Sequence, residues 1–262
     1  MNHLFSIWPA AWSRQQRSSA TMLAASVGLL LILWLITIPL ALAPEPIGNN
    51  AQLFAEGTRV TVQLTLVAGL VGVVLGVLAA LGKVSRVAPL RWLAGFYIWV
   101  MRGTPLLVQV LFVYFALPEI SPWLRMSEFS AACVALALNV GAYNAEAIRA
   151  GLLAVPKGQI EAAKSLGLSR WHTFVDITFP QAFKIALPPL VNNVVALLKD
   201  SSLAFTIGVV ELTNAGSQVK STSFQAVPVF IATAIIYLVL TTVMTQISDA
   251  VERRFDIEGK LG

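Results

Sequence analysis

Amide and ionisable side chains interrupt several long apolar stretches of this sequence, and these are the residues whose types could do chemistry. Asn139, Tyr143 and Glu146 are spaced four and three residues apart, so a helix places them on one stripe, which Ala150 continues. An ionisable group inside a membrane span is costly and is a functional-site hypothesis by default. The stripe therefore predicts a surface that binds a polar solute, with pairing of Glu146 to Arg149 or to an arginine of another helix as the structural alternative.

Two further segments carry polar groups into apolar sequence. Arg102 precedes Gly103, Thr104 and Pro105, and the proline is expected to kink its helix. Arg102 either faces a translocation path or extends to the membrane interface beside a packing kink. Asn192 and Asn193 fall about 14 Å into a later span, at the depth of Asn139, and predict either a polar strip or interhelical hydrogen bonds. The remaining candidates for the substrate pathway follow near the outer end of that span: Lys199, Asp200 and Ser201.

These residues give conflicting indications of the substrate's charge. Glu146 favours a cationic substrate, whereas Arg102 and Lys199 favour carboxylates.

A short charged loop separates two of the apolar segments. Pro156 suits the first turn of a helix, which residues 157–166 continue, and Gly167 stands where a left-handed residue would end it. Ser169 can cap a second short helix, and Pro180 marks the entry to the next apolar segment. An amphipathic loop helix of no special function is the simpler interpretation, and docking into a partner's groove is the functional one.

The elements that must position these residues are membrane spans. The sequence is 57% hydrophobic and only 12% charged, far below the quarter that is typical of soluble domains. Six spans are predicted, the fifth with a break at Pro188-Pro189. They cover residues 22–43, 60–81, 92–117, 129–153, 183–198 and 224–247. In the second, Ala68, Gly72, Gly76 and Ala80 form a small-residue face for close helix packing. Residues 203–210 are too short to cross and predict an interfacial or re-entrant piece on the outer side, in an exposed region that includes Glu211.

Lysine and arginine predict the orientation. Eleven lie in the loops and tails on the side of both termini and of the charged loop, and three lie on the other side. The positive-inside rule places the first side in the cytoplasm, which also accounts for the basic pI without nucleic-acid binding.

Motifs for several enzyme classes are missing from the sequence. There is no phosphate-binding G-x-x-x-x-G-K-[ST] loop, no H-E-x-x-H and no G-x-S-x-G. One cysteine and two distant histidines offer no disulfide framework and no metal-ligand spacing. We therefore expect no catalytic site, no metal site and no ATP hydrolysis by this chain.

The charged loop resembles the EAA loop of ABC-importer permeases. Glu161-Ala162-Ala163 is followed after three residues by Gly167, after nine more by Ile177, and then by Phe179-Pro180, where Phe179 replaces the leucine of the family pattern. Residues 102–109, 142–146 and 198–203 resemble the branch that imports polar amino acids such as histidine, glutamine, arginine, glutamate and opines. The resemblance reaches from about residue 56 to 254.

This resemblance implies an all-α polytopic membrane protein with the fold of the type I importer transmembrane domain. The domains expected are 1–55 (tail, extra span and periplasmic loop), 56–252 (core permease with a coupling loop at 154–180) and 253–262 (cytoplasmic tail). The implied residues for coupling to the ATPase are Glu161, Ala162, Ala163, Gly167, Ile177 and Pro180. The implied location is the bacterial inner membrane.

The implied partners are those of an importer driven by ATP. They are an ATP-binding cassette ATPase dimer that binds ATP and Mg²⁺, a second permease subunit (the same or a homologous chain), an extracytoplasmic amino-acid-binding protein and membrane lipid. This chain itself is expected to hold no cofactor. An ion-coupled secondary transporter, with Arg102, Glu146 and Asp200 as coupling groups, is the alternative, and a membrane scaffold without transport is a weaker one.

Overall fold

The structure, a computed structural model, describes residues 12–255, which form helices and no β-strand. The predictions for the outermost residues, including most of the 253–262 tail, lie outside this range. The helices are α1 (Arg14–Leu35), α2 (Thr37–Ala41), α3 (Ala51–Val84), α4 (Ala88–Gly103), α5 (Leu106–Leu111), α6 (Leu117–Ile120), α7 (Glu128–Ala154), α8 (Lys157–Ser165), α9 (Arg170–His172), α10 (Phe179–Asp200), α11 (Leu212–Ser223) and α12 (Ala226–Arg254). The π-helical turns Phe112–Ala116 and Thr173–Thr178 join α5 to α6 and α9 to α10, and the 3-10 turn Ser201–Ile207 extends α10.

Six spans account for this arrangement. Five helical stretches are long and apolar enough to cross a membrane, and α4 with the α5–α6 segment makes a sixth that is bent by 110°. Pro105 and the extended backbone of Thr104 form the break between α4 and α5, as the sequence predicted.

The helices α3 and α7 form the centre of the bundle. The predicted small-residue face of α3 is buried against α7. A Cβ added to Gly76 would lie 2.6 Å from Cβ of Asn144, and one added to Gly72 would overlap Val140. The missing side chains thus let the two backbones approach closely, and packing of this kind is what holds helices together in lipid.

The first helix is fastened to the rest of the bundle at both ends. Ser18 donates a hydrogen bond from Oγ to the carbonyl of Ala250, and Arg254 donates to Ser19 Oγ at 3.1 Å. At the other end Arg59 donates from Nε to the carbonyl of Leu33 at 3.0 Å. The first helix therefore packs along α12 and is tied to α3.

Three predictions are wrong in detail. The first helix starts at residue 14 rather than 22, because Ser13 and Gln16 form a capping box there. The helix α10 is continuous through Pro188 and Pro189, since packed neighbours can satisfy the backbone carbonyls that prolines leave free within a membrane. Glu211 is fully buried instead of exposed. It caps α11 by accepting hydrogen bonds from the backbone N–H of Thr213 and Asn214.

Candidate functional site

A cavity of 340 Å³ lies where the bend after α4 meets α7 and α10. Its size falls near the lower end of the roughly 300–1,000 Å³ of small-molecule sites. Four of the predicted pathway residues line it: Asn139, Tyr143, Asn193 and Asp200. The other side chains of the wall come from Thr104, Pro105, Leu106, Val140, Ala196, Leu197 and Leu203.

The Asn139 side chain is held by the broken helix. Its Nδ2 donates to Gln109 Oε1 at 3.0 Å and to the Met101 carbonyl at 3.2 Å. Gln109 Nε2 in turn donates to the same carbonyl at 2.8 Å and to Thr104 Oγ1 at 2.9 Å. The two amides thus satisfy a carbonyl that the helix break would otherwise leave unpaired.

A second amide pair closes the cavity wall between α7 and α10. Asn193 donates from Nδ2 to Asn144 Oδ1 at 2.9 Å, and Asn144 is almost completely buried. This is the interhelical hydrogen bond that the sequence left open as an alternative. Because Asn193 also lines the cavity, it both joins the helices and contributes polar surface to the cavity wall.

The charged members of the predicted stripe have partners of their own. The guanidinium of Arg102 lies 5.3 Å from the centre of the Tyr143 ring, in cation–π geometry. Glu146 is paired with Arg149 through two guanidinium nitrogens, Nε and Nη2, with Nε 3.0 Å from Oε2. The structure therefore places Arg102 beside the cavity, over one of its lining residues, whereas Glu146 is engaged on its own helix.

The remaining candidates point elsewhere. Ser201 is fully buried and donates to the Leu198 carbonyl at 2.7 Å. The side chains of Asn192 and Lys199 are exposed, and neither residue lines the cavity. A helix turns about 100° per residue, which separates them from their neighbours Asn193 and Asp200.

The predicted coupling loop has the local geometry expected from its sequence. Gly167 has a φ of 80°, the N–H of Leu168 donates to Ala163, and the N–H of Gly167 donates to Lys164. These two bonds form a Schellman motif, which ends α8 sharply. Ser169 accepts from the N–H of His172 and caps the next helix.

The loop presents a mixed surface on one side and packs on the other. Glu161, Ala162, Gly167 and Pro180 are exposed, Ile177 is half-buried, and Ala163 is buried. Gln181 in α10 donates to Gln159 in α8, which joins the loop helix to the following span. This arrangement leaves a short, stiff and accessible helix attached to the membrane bundle.

Sequence reasoning missed Gln109 and Asn144, which hold the two cavity amides in place. Both stand in apolar stretches, so an intramembrane amide was the available signal. It also missed Glu211, whose carboxylate accepts from the Tyr237 hydroxyl at 2.9 Å. Within residues 12–255, no group of three or more His, Cys, Asp or Glu side chains is placed to hold a metal ion.

Comparison with known proteins gives a consistent result. The family model described as "Binding-protein-dependent transport system inner membrane component" matches residues 72–257. The glutamine transport system permease protein GlnP of Escherichia coli is 40% identical over 78% of this chain and 94% of its own length. The arginine transport system permease protein ArtQ of Bacillus subtilis is 39% identical over 76% and 90%.

Solved structures agree on the fold. The crystal structure of an amino acid ABC transporter with histidines superposes with a TM-score of 0.73 at 39% identity, covering 78% of this chain and 94% of the other. An inward-facing structure of the MetNI methionine ABC transporter gives 0.65 at 18% identity, over 81% and 99%. The second likeness bears on the fold alone.

Proposed function

The chain belongs to the family of binding-protein-dependent transport system inner membrane components, and from this premise we propose that it imports a polar amino acid by ATP-driven alternating access. It is an amino-acid ABC transporter permease, a multi-pass inner-membrane subunit without an ATPase site of its own. In the proposal, a separate ATPase dimer binds ATP and Mg²⁺ in the cytoplasm. A second permease subunit completes the pathway, and an extracytoplasmic binding protein delivers the substrate.

The observation that carries the coupling step is the sharply ended helix α8. A Schellman cap at Gly167 and the contact between Gln159 and Gln181 join it to α10. A push on the exposed face around Glu161 and Ala162 is therefore transmitted to the span instead of being absorbed by loop motion. Closure of the ATPases would move these helices toward each other and tilt the bundles.

The cavity supports the choice of an amino acid as cargo. Asn139 and Asn193 present amides, the Arg102 guanidinium lies over Tyr143, and Asp200 supplies a carboxylate. A zwitterion needs donors for its carboxylate, which Arg102 beside the cavity can supply, and an acceptor for its ammonium group, which the wall itself supplies. In the proposal, the binding protein and this chain together determine which substrate charge is accepted.

Replacement of Gly167 tests the coupling step. A side chain at Gly167 meets nothing within 4 Å, but L residues are strained at a φ of 80°, by about 1–2 kcal/mol. We expect Gly167→Val to reduce substrate-stimulated ATPase activity and uptake at least tenfold in proteoliposomes that contain the complete complex. The chain should still insert into the membrane in normal amount.

Gly158→Val is the matched control. Gly158 lies in α8, the helix that Gly167 ends. A Cβ added to Gly158 also meets nothing within 4 Å, and Gly158 is not among the positive-φ residues. Its replacement should leave both activities unchanged. Normal coupling in Gly167→Val would contradict the proposal, and uptake that persists without ATP but collapses with the proton gradient would favour the ion-coupled transporter.

A further inference from the structure

A second cavity, of 640 Å³, opens on the surface of α4 near its first residues. Its wall consists of two cations, three aromatic rings and one glycine: Lys83, Arg91, Trp92, Gly95, Phe96 and Trp99. None of these lining residues, all in the described part of the chain, is acidic. This cavity is separate from the one between α7 and α10.

The three aromatic side chains of this cavity are largely exposed. Trp92 is 76% exposed, Trp99 is 71% exposed and Phe96 is 60% exposed, so the bundle leaves them almost uncovered. Tryptophan is enriched where a protein meets the headgroup region of a membrane. Arg91 and Trp99 are eight residues apart, or about 12 Å along the helix, which keeps the whole stripe within one leaflet of a core about 30 Å thick.

The two cations are positioned at one end of the stripe. The Lys83 ammonium lies over Gly95, so that a Cβ there would be 2.6 Å from its Nζ. Arg91 donates from Nη1 to the Ser85 carbonyl at 3.3 Å, which fixes its guanidinium at the loop. Neither side chain forms an ion pair within residues 12–255, and Glu146 is already engaged by Arg149.

An anion with an apolar tail satisfies both halves of this surface. Basic residues near a membrane surface attract anionic headgroups, and the positive-inside rule places this end in the cytoplasmic leaflet. We propose that the cavity binds an anionic phospholipid, with Lys83 and Arg91 on its phosphate and an acyl chain along Trp92, Phe96 and Trp99.

A second copy of the chain fits this surface less well. A twofold dimer buries the same patch on both subunits. Two such patches would bring Lys83 and Arg91 against their own copies, with no acidic lining residue to compensate. Charge complementarity therefore favours lipid over a copy of this chain.

Native mass spectrometry of the purified transporter complex tests the proposal with two defined lipids of identical acyl chains. Phosphatidylglycerol should bind more tightly than phosphatidylcholine, and removing Lys83 and Arg91 together should remove most of the preference. A basic residue that contacts the anionic headgroup is expected to contribute about fivefold. The Lys83→Gln and Arg91→Gln variants should thus each weaken phosphatidylglycerol binding by about that factor.

Arg86→Gln is the matched control, because Arg86 is an exposed cation of the same loop that does not line the cavity. It should change binding less than twofold. Gly95→Ala provides a variant without charge change: the added methyl displaces only the flexible end of Lys83 and should weaken phosphatidylglycerol binding with the fold intact. A phosphatidylglycerol carrying a photoactivatable acyl chain should crosslink to peptides that contain residues 92–99.

Three outcomes would overturn the proposal. The two lipids could bind equally, Arg86→Gln could weaken binding as much as Lys83→Gln, or residues 92–99 could crosslink to another permease subunit and not to lipid. The last would identify the surface as a subunit interface. Because lipid binding is measured without transport, failure here leaves the proposed function untouched.

Discussion

The hydrogen bonds of the cavity amides define which side chains are free to meet a substrate. Asn193 donates one N–H to Asn144, and Asn139 donates its Nδ2 hydrogens to Gln109 and Met101. Their carbonyl oxygens take no part in these bonds. At this scale the wall of the cavity is mainly an acceptor surface, to which Asp200 adds a carboxylate.

Asn193→Leu should therefore weaken uptake by raising KM. The leucine removes one acceptor from the cavity and leaves the buried Asn144 unpaired, at a cost of about 1–3 kcal/mol. We expect KM for the transported amino acid to rise about tenfold in proteoliposomes. Gln218→Leu, which removes an exposed amide in α11 away from the cavity, should have the KM of the parent protein, and an unchanged KM in Asn193→Leu would refute the assignment.

Glu211 is fully buried and does not line the cavity between α7 and α10, so we expect it to affect stability and not substrate binding. Burial raises the pKa of its carboxyl group above the ordinary range, although Thr213, Asn214 and Tyr237 donate hydrogen bonds that oppose the shift. The folded state then binds more protons than the unfolded state between the two pKa values. This group's contribution to stability is complete below the ordinary glutamate pKa and is lost as pH rises through the folded value.

Thermal unfolding of the purified chain at a series of pH values measures this effect. The melting temperature of the parent should fall with rising pH across that window relative to Glu211→Gln, which cannot titrate. Glu211→Ala should be destabilised by about 1–2 kcal/mol or more, since it uncaps α11. Parallel pH profiles for the parent and Glu211→Gln would contradict the shift, because they would mean that the carboxyl has the same pKa in the folded and unfolded states.

At the scale of elements, two amide side chains, Gln109 and Asn139, bridge the break between α4 and α5. Gln109 makes most of these bonds, because it donates to Met101 and Thr104 and accepts from Asn139. Gln109→Leu should remove all three bonds and lower the melting temperature, by the equivalent of about 1–3 kcal/mol. Val108→Leu, on the exposed side of α5, is the control, and equal melting temperatures for the two variants would contradict the bridging role.

The elements that the sequence predicts correctly are those determined by residues a few positions apart. Gly167, Ser169 and Pro105 each act within a few residues, so the loop caps and the broken span could be inferred from neighbours alone. Glu211 could not, because its partners Thr61 and Tyr237 lie 150 and 26 residues away along the chain. The amide pairs of the cavity could not be inferred either, because they depend on how one helix is rotated against another. The spacing of residues along a helix does not determine that rotation.

At the scale of the whole molecule, α1 and α12 are expected to move as one body. Ser18 and Ala250 are joined at one end of the contact. In a Cys133→Ser background, which removes the single native cysteine, Ser18→Cys combined with Ala250→Cys should crosslink with a short bifunctional reagent. Transport should survive, and its loss on crosslinking would show that the two helices separate during the cycle.

The close contact of α3 with α7 at Gly72 and Gly76 limits which motions are available to the protein. Val140 occupies the space that a side chain at Gly72 would need, and Asn144 does the same at Gly76, so axial sliding would press these side chains against neighbouring turns of α3. We therefore expect the two helices to move as one unit. A gate for the cavity would then open by rotation of α10 or of the bent α4–α5 segment about that unit, so the proposed transport cycle would have the kinematics of a hinge rather than of a piston.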